Sequence, residues 1–480
     1  MKKILTLLLA LWMLTGCVAM AAGNQLVVGS TTAMSGAFFT DLFGSNTADI
    51  DVRALLHGYN LMSWDHETGT YQINDSVVAG MAVSRDAQNN RVYTFDLYGD
   101  LKFSDGSAIT AKDYAFSILL TASPELAKLG GQSAAVGAIL GMDAYRSGKS
   151  SVLRGVRLLS DTQMSITISK AYEPYFYEMA LFDYSPYPIS VLAPGCKVVD
   201  TEKGVGIVNA SGTGTAIFTA ALLQKTILDA ATGYMSHPSV VSGPYTLTSY
   251  DAQRGTASFA INPYYKGNED GEKPTIETIV YRSVANDEAI DLLLSGEVDL
   301  LNKMVAADTI SKGIQSTANQ PFSVANYPRS GLSMISFSCE RQTVSGKAVR
   351  QAIASCFDRD ALVKAYTGNF GLKANGYFGI GQWMYQLAAG TIQPPVVDLP
   401  ANATAKEIAA YEKTVAQWDA LSLDKLKDYP LDLDQAAKLL DQDEWRIGKD
   451  GIRAKKIDGK TVALDLTLIY PEGNAVGDAL

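Results

Sequence analysis

Short strand-like segments alternate with helical segments along most of this chain, and this alternation limits the possible folds more than any other feature. Residues 26–29 and 92–97 have the apolar or alternating patterns of strands, whereas residues 53–62 and 287–296 have helical spacing. Mixed strands and helices joined by short turns indicate α/β or α+β lobes. At about 150 residues per domain, the 480 residues correspond to roughly three structural units.

Turn and capping signals place several further elements. Thr110 and Asp113 have the spacing of a capping box, which predicts a helix that starts directly after the tight turn at Asp105 and Gly106. Further strands are predicted at residues 164–169, 243–247, 257–261, 276–281 and 462–470, and further helices at residues 405–421 and 433–441.

Charge and hydropathy exclude two classes of protein. The formal net charge of −10 argues against a nucleic-acid binder, because such proteins use clustered Lys and Arg to displace phosphate counterions. Apolar residues make up 47% of the chain, which is typical of a folded protein. Beyond the N-terminus no run of 18 or more apolar residues is present, which excludes a polytopic membrane protein.

The N-terminus has the pattern of an export signal. Lys2 and Lys3 precede the apolar run 4–14, which is too short to span a bilayer comfortably. The following Leu-Thr-Gly-Cys resembles the lipobox of bacterial lipoproteins, which predicts that residues 1–16 are removed and that Cys17 carries the lipid anchor. The alternative is an ordinary signal peptide that is cleaved after residues 19–21, with Cys17 as a passenger.

Three other cysteines, Cys196, Cys339 and Cys356, are widely spaced and form no C-x-x-C motif. We interpret them as buried small hydrophobic residues. One disulfide among them is left open.

Seven segments, taken together and in this order, resemble the extracellular solute-binding proteins of ABC importers, family 5. This family includes oligopeptide-, dipeptide- and nickel-binding proteins. The segments are residues 93–97 (YTFDL), 101–106 (LKFSDG) with 110–113 (TAKD), 242–245 (SGPY), 262–265 (NPYY), 296–299 (GEVD), 349–352 (VRQA) with 358–360 (DRD), and 434–440 (DQAAKLL) before Asp450 and Gly451.

The resemblance implies an α/β fold of the two-lobed periplasmic-binding-protein type (type II), in which two lobes form a clamp. The first lobe is expected at residues 17–46 and 195–275, with an inserted subdomain at residues 47–194. The second lobe is expected at residues 276–480, with a surface insertion at about 389–430, where the composition turns to proline, Ala, Glu and Lys.

The resemblance also implies a function. A lipid-anchored protein on the extracellular face of the cytoplasmic membrane, or in the periplasm, captures short peptides and delivers them to permease and ATPase subunits on separate chains. Main-chain hydrogen bonds to an extended peptide supply affinity without reading its sequence. No catalysis, cofactor, metal or nucleic acid is expected, and the chain is expected to act as a monomer.

Two glycine- and aromatic-rich stretches are the candidate ligand surfaces, because glycine lets a backbone approach a ligand and aromatic rings offer stacking faces. One stretch follows the first strand, and the other is a loop in the predicted second lobe. Tyr265, in a predicted turn, is a further candidate. The candidates are Ser35, Gly36, Phe38, Phe39, Tyr265, Phe378, Gln382, Trp383 and Tyr385. The alternative is that these aromatic residues are buried and pack the loops.

Enzyme signatures are missing from the sequence. His57, His66 and His237 lack the i, i+4 pairing of a metallohydrolase helix, and no P-loop or nucleophile elbow is present. The alternatives to peptide delivery are a nickel chelate or an oligosaccharide as the solute, or a peptide-sensing lipoprotein that feeds no transporter.

One departure from the family concerns length. Members of the peptide-binding branch usually continue well beyond the region that corresponds to residues 462–470, and the acidic residue that binds the peptide's amino terminus lies in that continuation. We therefore expect the chain to be a fragment with an incomplete second lobe, which leaves an apolar sheet edge uncovered.

Overall fold

We describe the protein from a computed structural model, which covers residues 24–65, 70–131, 137–173, 177–317, 321–327, 331–368, 370–392 and 403–470. The described chain divides into two compact units. The first unit comprises residues 24–65 and 70–303, and the second unit begins at Met304.

The first unit is built from thirteen described strands and seven described α-helices. The strands are β1 (Gln25–Ser30), β2 (Met62–Asp65), β3 (Thr70–Ile73), β4 (Val78–Arg85), β5 (Arg91–Leu97), β6 (Val156–Leu158), β7 (Gln163–Ile168), β8 (Cys196–Thr201), β9 (Gly204–Asn209), β10 (Tyr245–Asp251), β11 (Thr256–Ile261), β12 (Thr278–Ser283) and β13 (Leu300–Asn302). The helices are α1 (Thr47–Leu56), α2 (Ala111–Thr121), α3 (Pro124–Ala127), α4 (Met142–Arg146), α5 (Ile189–Leu192), α6 (Ala220–Thr226) and α7 (Ala289–Leu294), with 3-10 turns at Lys170–Tyr172 and Glu178–Phe182.

A five-stranded sheet with the order β10-β11-β12-β1-β13 organises one part of the first unit. β1 is parallel to both β12 and β13, whereas β11 is antiparallel to its two neighbours, β10 and β12. α1 packs on this sheet through Ala48, Val52 and Leu56, all fully buried. The apolar face of the helix therefore covers the core side of the sheet, and polar residues of the helix contact the loop that follows β1.

A second layer of sheet and helix forms the larger core of the first unit. The four-stranded sheet β4-β5-β7-β6 and the hairpins β2-β3 and β8-β9 surround this core. Phe95 on β5 and Phe116 on α2 are fully buried in it. Alternation along β5 and the apolar face of α2 supply these side chains, as the sequence pattern predicts.

The predicted helix at residues 53–62 is wrong in its position. α1 starts at Thr47, because Asn46 and Asp49 form a capping box in which each side chain accepts a hydrogen bond from the other's backbone N–H, at 3.0 and 3.2 Å. The helix ends at Leu56, before the Gly58 loop, and the next strand already begins at Met62.

The helix start predicted at Thr110 is confirmed. The carboxylate of Asp113 accepts hydrogen bonds from the backbone N–H and the hydroxyl of Thr110, at 2.8 and 2.9 Å. Gly106 has a φ of +85°, so the tight turn before this helix requires glycine. The strands predicted at 26–29, 92–97, 164–169, 243–247, 257–261 and 276–281 and the helix at 287–296 are present with shifted ends.

The second unit is mainly helical in its described part. Its helices are α8 (Ala307–Thr317), α9 (Gln342–Ser345), α10 (Lys347–Ala354), α11 (Arg359–Thr367), α12 (Trp383–Ala388), α13 (Ala405–Asp419) and α14 (Leu433–Gln442), and its three-stranded sheet is β14 (Arg446–Ile447), β15 (Arg453–Ile457) and β16 (Lys460–Ala463). α13 and α14 confirm the helices predicted at 405–421 and 433–441.

The strand predicted at residues 462–470 is only partly correct. β16 ends at Ala463, and residues 464–470 have no regular structure. Apolar side chains in this stretch are exposed, and Ile469 has 85% of its surface accessible. Its alternation predicts a strand, but a strand needs a neighbour that takes up its backbone hydrogen bonds.

The boundary between the two compact units lies at a different point of the chain from the predicted boundary between the lobes. β12 and β13 hydrogen-bond to β1, so residues up to Lys303 lie in the first unit. α1 likewise packs on the five-stranded sheet. The lobe and subdomain boundaries given above stay a prediction.

The interpretation of the cysteines is correct for one residue and wrong for two. Cys196 is buried, whereas Cys339 and Cys356 are exposed, and all three are free thiols. Cys339 and Cys356 are exposed because the core of the second unit is sparse and encloses few side chains fully.

Within the described ranges, no helix combines the length and the apolar character that a membrane crossing requires.

Candidate functional site

The carboxyl ends of three parallel strands meet at one edge of the five-stranded sheet. Ser30, the last residue of β1, pairs with Ser283 at the end of β12 and with Asn302 at the end of β13. Ligands of open α/β sheets bind outside the carboxyl ends of the strands. We therefore take this edge, with the loop 31–46 that leaves β1, as the candidate site of the first unit.

Asp49 fixes the start of this loop. Its carboxylate accepts a hydrogen bond from the backbone N–H of Ser35 at 2.9 Å and another from the Ser35 hydroxyl at 2.6 Å. Asp49 itself is fully buried, while Ser35 is exposed. The capping carboxylate of α1 therefore also sets the position of an exposed candidate residue.

Arg53 of α1 and His57, the C-cap residue that follows α1, hold the middle of the loop. Arg53 Nη1 donates to the carbonyl of Ala37 at 2.8 Å, and Nε2 of His57 lies 2.9 Å from the carbonyl of Phe38. Asp49 and Arg53 are four residues apart, which places them on one face of the helix, and His57 follows at its C-terminal end. This polar face of α1 is thus complementary to the backbone of the loop.

Gly36 occupies a position in the loop that only glycine adopts readily. Its φ is +87°, and a Cβ atom there would lie 3.0 Å from Ser236 Oγ and 3.3 Å from the ring of Tyr250. The Ser236 hydroxyl also donates to the Gly36 carbonyl at 3.0 Å. Glycine thus lets the loop pack closely against two neighbours.

The rings of Phe38 and Phe39 point into the protein. Phe38 is fully buried and meets Tyr250 edge to face, with ring centroids 4.6 Å apart. Phe39 packs in the same manner against Tyr187 and Tyr234, at 4.7 and 4.9 Å. Both rings therefore pack the loop against the core, as the alternative interpretation of this stretch stated. Contact of either ring with a ligand stays a prediction.

A polar network that the sequence did not predict lies at the same sheet edge. The carboxylate of Asp51 accepts hydrogen bonds from the hydroxyl of Tyr281 and from Nδ2 of Asn302, each at 2.7 Å, and forms an ion pair with Lys303. Burial, together with the hydrogen bond to Asp51, raises the pKa of Tyr281. The network joins α1 to the ends of β12 and β13.

Lys303 has an unusual backbone conformation. Its φ is +56°, in the left-handed region that is uncommon for a residue with a side chain. It is also the last residue of the first unit. The ion pair with Asp51 therefore holds a strained residue at the point where the chain leaves the five-stranded sheet.

Tyr265 lies elsewhere in the first unit. Its ring stacks on Tyr59 at 5.0 Å, and the backbone N–H of Lys266 donates to the Tyr59 hydroxyl at 2.6 Å. Burial raises the pKa of Tyr265 to about 12. These contacts fit the turn with packed aromatic residues that the sequence suggests.

The second predicted stretch is partly helical. Gln382 is the N-cap residue of α12, and Trp383, its first residue, is 7% exposed. Tyr385 is partly buried on the same helix, whereas Phe378 lies in the preceding loop and is 36% exposed. Of these four, Phe378 offers the most accessible ring, and Trp383 is a core residue of the second unit.

The structure thus brings Ser35, Gly36, Phe38 and Phe39 together but places Tyr265 in a separate aromatic stack. It adds Asp51, Tyr281, Asn302 and Lys303, which sequence reasoning missed. A usable signal was present, because Asn302 is the polar last residue of an apolar strand, as Ser30 is, and Lys303 follows it directly.

Metal ligation and lipidation add no further site. Among the described residues, no group of three or more His, Cys, Asp or Glu side chains could hold a metal ion. Cys17, the predicted lipidation site, lies outside the described residues.

A family model gives an independent view of the chain. The model described as "Bacterial extracellular solute-binding proteins, family 5 Middle" matches residues 76–480. This match spans more than half of the chain and includes the first unit from residue 76 onward and the second unit.

Curated relatives and solved structures agree with it. Oligopeptide-binding protein OppA of Lactococcus lactis is 26% identical over 415 residues, which is 84% of this chain and 56% of the relative. The chain thus spans about half the length of the curated relatives it matches.

Two solved structures share the fold. Lactococcal OppA with an endogenous peptide in the closed conformation has a TM-score of 0.60 at 19% identity, over 92% of this chain and 70% of that one. The Thermus thermophilus oligopeptide-binding protein with a pentapeptide has a TM-score of 0.57 at 18% identity, over 92% and 66%. The predicted α/β fold of the two-lobed binding-protein type is therefore confirmed.

Proposed function

Because the chain belongs to the bacterial extracellular solute-binding proteins of family 5, we propose that it captures short peptides for delivery to the permease of an ABC transporter. One observation carries the proposal: the oligopeptide-binding relative from Lactococcus lactis aligns with 84% of this chain. The family consists of substrate-binding proteins, which is consistent with a role without catalysis.

The sheet edge of the first unit supports this proposal. Ser35 is exposed there, and its backbone N–H and hydroxyl are oriented by Asp49 before any ligand arrives. A loop that is already fixed loses little conformational entropy on binding, which favours affinity. The Ser35 hydroxyl donates its hydrogen to Asp49, but its oxygen can still accept a hydrogen bond from a main-chain N–H of an extended peptide. Such a main-chain contact makes affinity depend little on peptide sequence.

Capture is proposed to proceed by hinge closure. In a two-lobed clamp, a ligand that contacts both lobes favours the closed arrangement by its differential affinity for that arrangement. The permease and its ATPase subunits are separate chains in this proposal, and the protein is held at the extracellular membrane face or in the periplasm through a lipid on Cys17.

Calorimetry on the full chain tests the solute class. We expect saturable heat with a pool of short synthetic peptides and none with a nickel–histidine chelate or an oligosaccharide. A response to the chelate or the sugar but not to the peptides overturns the proposal.

Transport and anchoring are tested in cells. A deletion strain should lose uptake of the peptides that bind in vitro, whereas normal uptake supports a sensing role instead. The variant Cys17→Ala should lose lipid labelling and membrane retention, and unchanged retention contradicts the anchor.

A further inference from the structure

The second unit has a shallow, open pocket of its own, which we call the cavity. Its volume is about 300 Å³, and it is lined by Lys347, Arg350, Gln351, Ala354 and Tyr429. α10 contributes four of these residues, and Tyr429 comes from the segment before α14. Because all five belong to the second unit, the cavity is formed within that unit alone.

Hydrogen-bond donors are fixed in this lining. Arg350 Nη1 donates to the carbonyls of Val344 and Ser345, at 2.8 and 2.6 Å, which holds the guanidinium group in place. Gln351 Nε2 donates to the Tyr429 hydroxyl at 2.8 Å. The hydroxyl accepts this bond, so its own hydrogen is available for a second partner in the cavity.

The lining carries the positive charges of Lys347 and Arg350. No residue that lines the cavity carries a carboxylate. The described part of the chain shows no ion pair for Lys347 or Arg350, whereas Arg359 and Lys373 of the same unit both pair with Asp428. The carboxylate beside Gly346, that of Asp443, is paired with Lys455 at 3.0 Å.

We propose that this cavity binds a small anion, whose carboxylate or phosphate oxygens accept hydrogen bonds from Lys347, the Arg350 guanidinium and the Tyr429 hydroxyl. Ligand pockets commonly measure roughly 300–1,000 Å³, so the cavity suits one anionic group with a few attached atoms rather than a peptide. Charge-assisted hydrogen bonds to such oxygens are short and strong. The inference does not rest on the proposed peptide capture.

Calorimetry on the full chain at constant ionic strength tests the site with two probes, inorganic phosphate and N-acetylglycine. We expect saturable binding of at least one probe. Lys347→Gln should weaken it about tenfold, the effect of one charge-assisted hydrogen bond. Tyr429→Phe should weaken it severalfold, because it removes one donor.

Lys449→Gln is the matched control, since Lys449 is an exposed lysine of the same unit that does not line the cavity. The Lys449→Gln variant should bind the probes with the same affinity as the unaltered protein. Binding of phosphate alone or of N-acetylglycine alone supports the site and identifies the anion. Absence of saturable binding for both probes overturns the proposal, as does equal weakening in Lys347→Gln and Lys449→Gln. Circular dichroism spectra that match the unaltered protein exclude misfolding as the cause.

Discussion

Nε2 of His57 lies 2.9 Å from the carbonyl oxygen of Phe38, so the C-cap residue of α1 is bonded to the loop that follows β1. The imidazole ring packs among aromatic neighbours, with Phe39 at 5.8 Å and Tyr234 at 6.2 Å between ring centroids. Burial in these surroundings lowers the pKa of His57 from 6.5 to about 4. The ring is therefore neutral at pH 7 and donates its Nε2 hydrogen to the carbonyl.

This pKa shift predicts a pH-dependent stability. In the unfolded chain His57 takes up a proton near pH 6.5, whereas in the folded protein it does so only near pH 4. The stability that neutral His57 contributes is therefore fully present above pH 6.5 and is lost as the pH falls from 6.5 to about 4. At about 1.4 kcal/mol per pKa unit, the loss reaches up to about 3 kcal/mol. Urea unfolding at several pH values measures it, and His57→Gln should remove this part of the slope.

Proton NMR gives a direct check, because the chain has only three histidines. The resonance that is missing from the His57→Gln spectrum identifies His57. A titration midpoint near 6.5 in the folded protein contradicts the prediction.

Gly36→Ala should destabilise the first unit by about 2–3 kcal/mol, because it combines a left-handed backbone with close contacts. Gly44→Ala is the matched variant: Gly44 has a φ of +98°, but no atom lies within 4 Å of the added methyl group. It should cost about 1 kcal/mol, the backbone effect alone. Equal losses in thermal unfolding of the two variants would show that the contacts to Ser236 and Tyr250 are unimportant.

Replacing Asp51 should reduce the free energy of unfolding more than replacing its ion-pair partner Lys303. Asp51→Ala leaves Tyr281 and Asn302 without their acceptor, and we expect a loss of about 1–3 kcal/mol in the free energy of unfolding. Lys303→Gln removes only a partly exposed ion pair and should cost at most about 1 kcal/mol. Urea denaturation checks both, and a larger loss for Lys303→Gln argues against this ranking.

Exposed apolar residues at 464–470 should make the chain associate. Ile469→Lys places a charge on a side chain that is 85% exposed, and we expect a larger monomer fraction in light scattering across a concentration series. Leu159→Lys, at a side chain of the first unit that is 53% exposed, is the control and should change little. A monomeric unaltered protein at all concentrations refutes the expectation.

The sequence alone determined the elements whose signals are local. Thr110 and Asp113 are three residues apart, and the alternation in residues 92–97 lies within one strand, so the start of α2 and the position of β5 could be predicted from neighbouring residues. The family resemblance rests on the same kind of short segment, and the family match over residues 76–480 agrees with it.

The tertiary structure alone decided which side chains are buried and which distant residues meet. Asp51 and Tyr281 are 230 positions apart, so no pattern near either residue indicates their hydrogen bond. The stretch from Ser35 to Phe39 is equally compatible with a ligand surface and with core packing until its neighbours are known. Burial depends on which elements fold over a residue, and the sheet order that puts β12 and β13 beside β1 brings Tyr281 and Asn302 to Asp51.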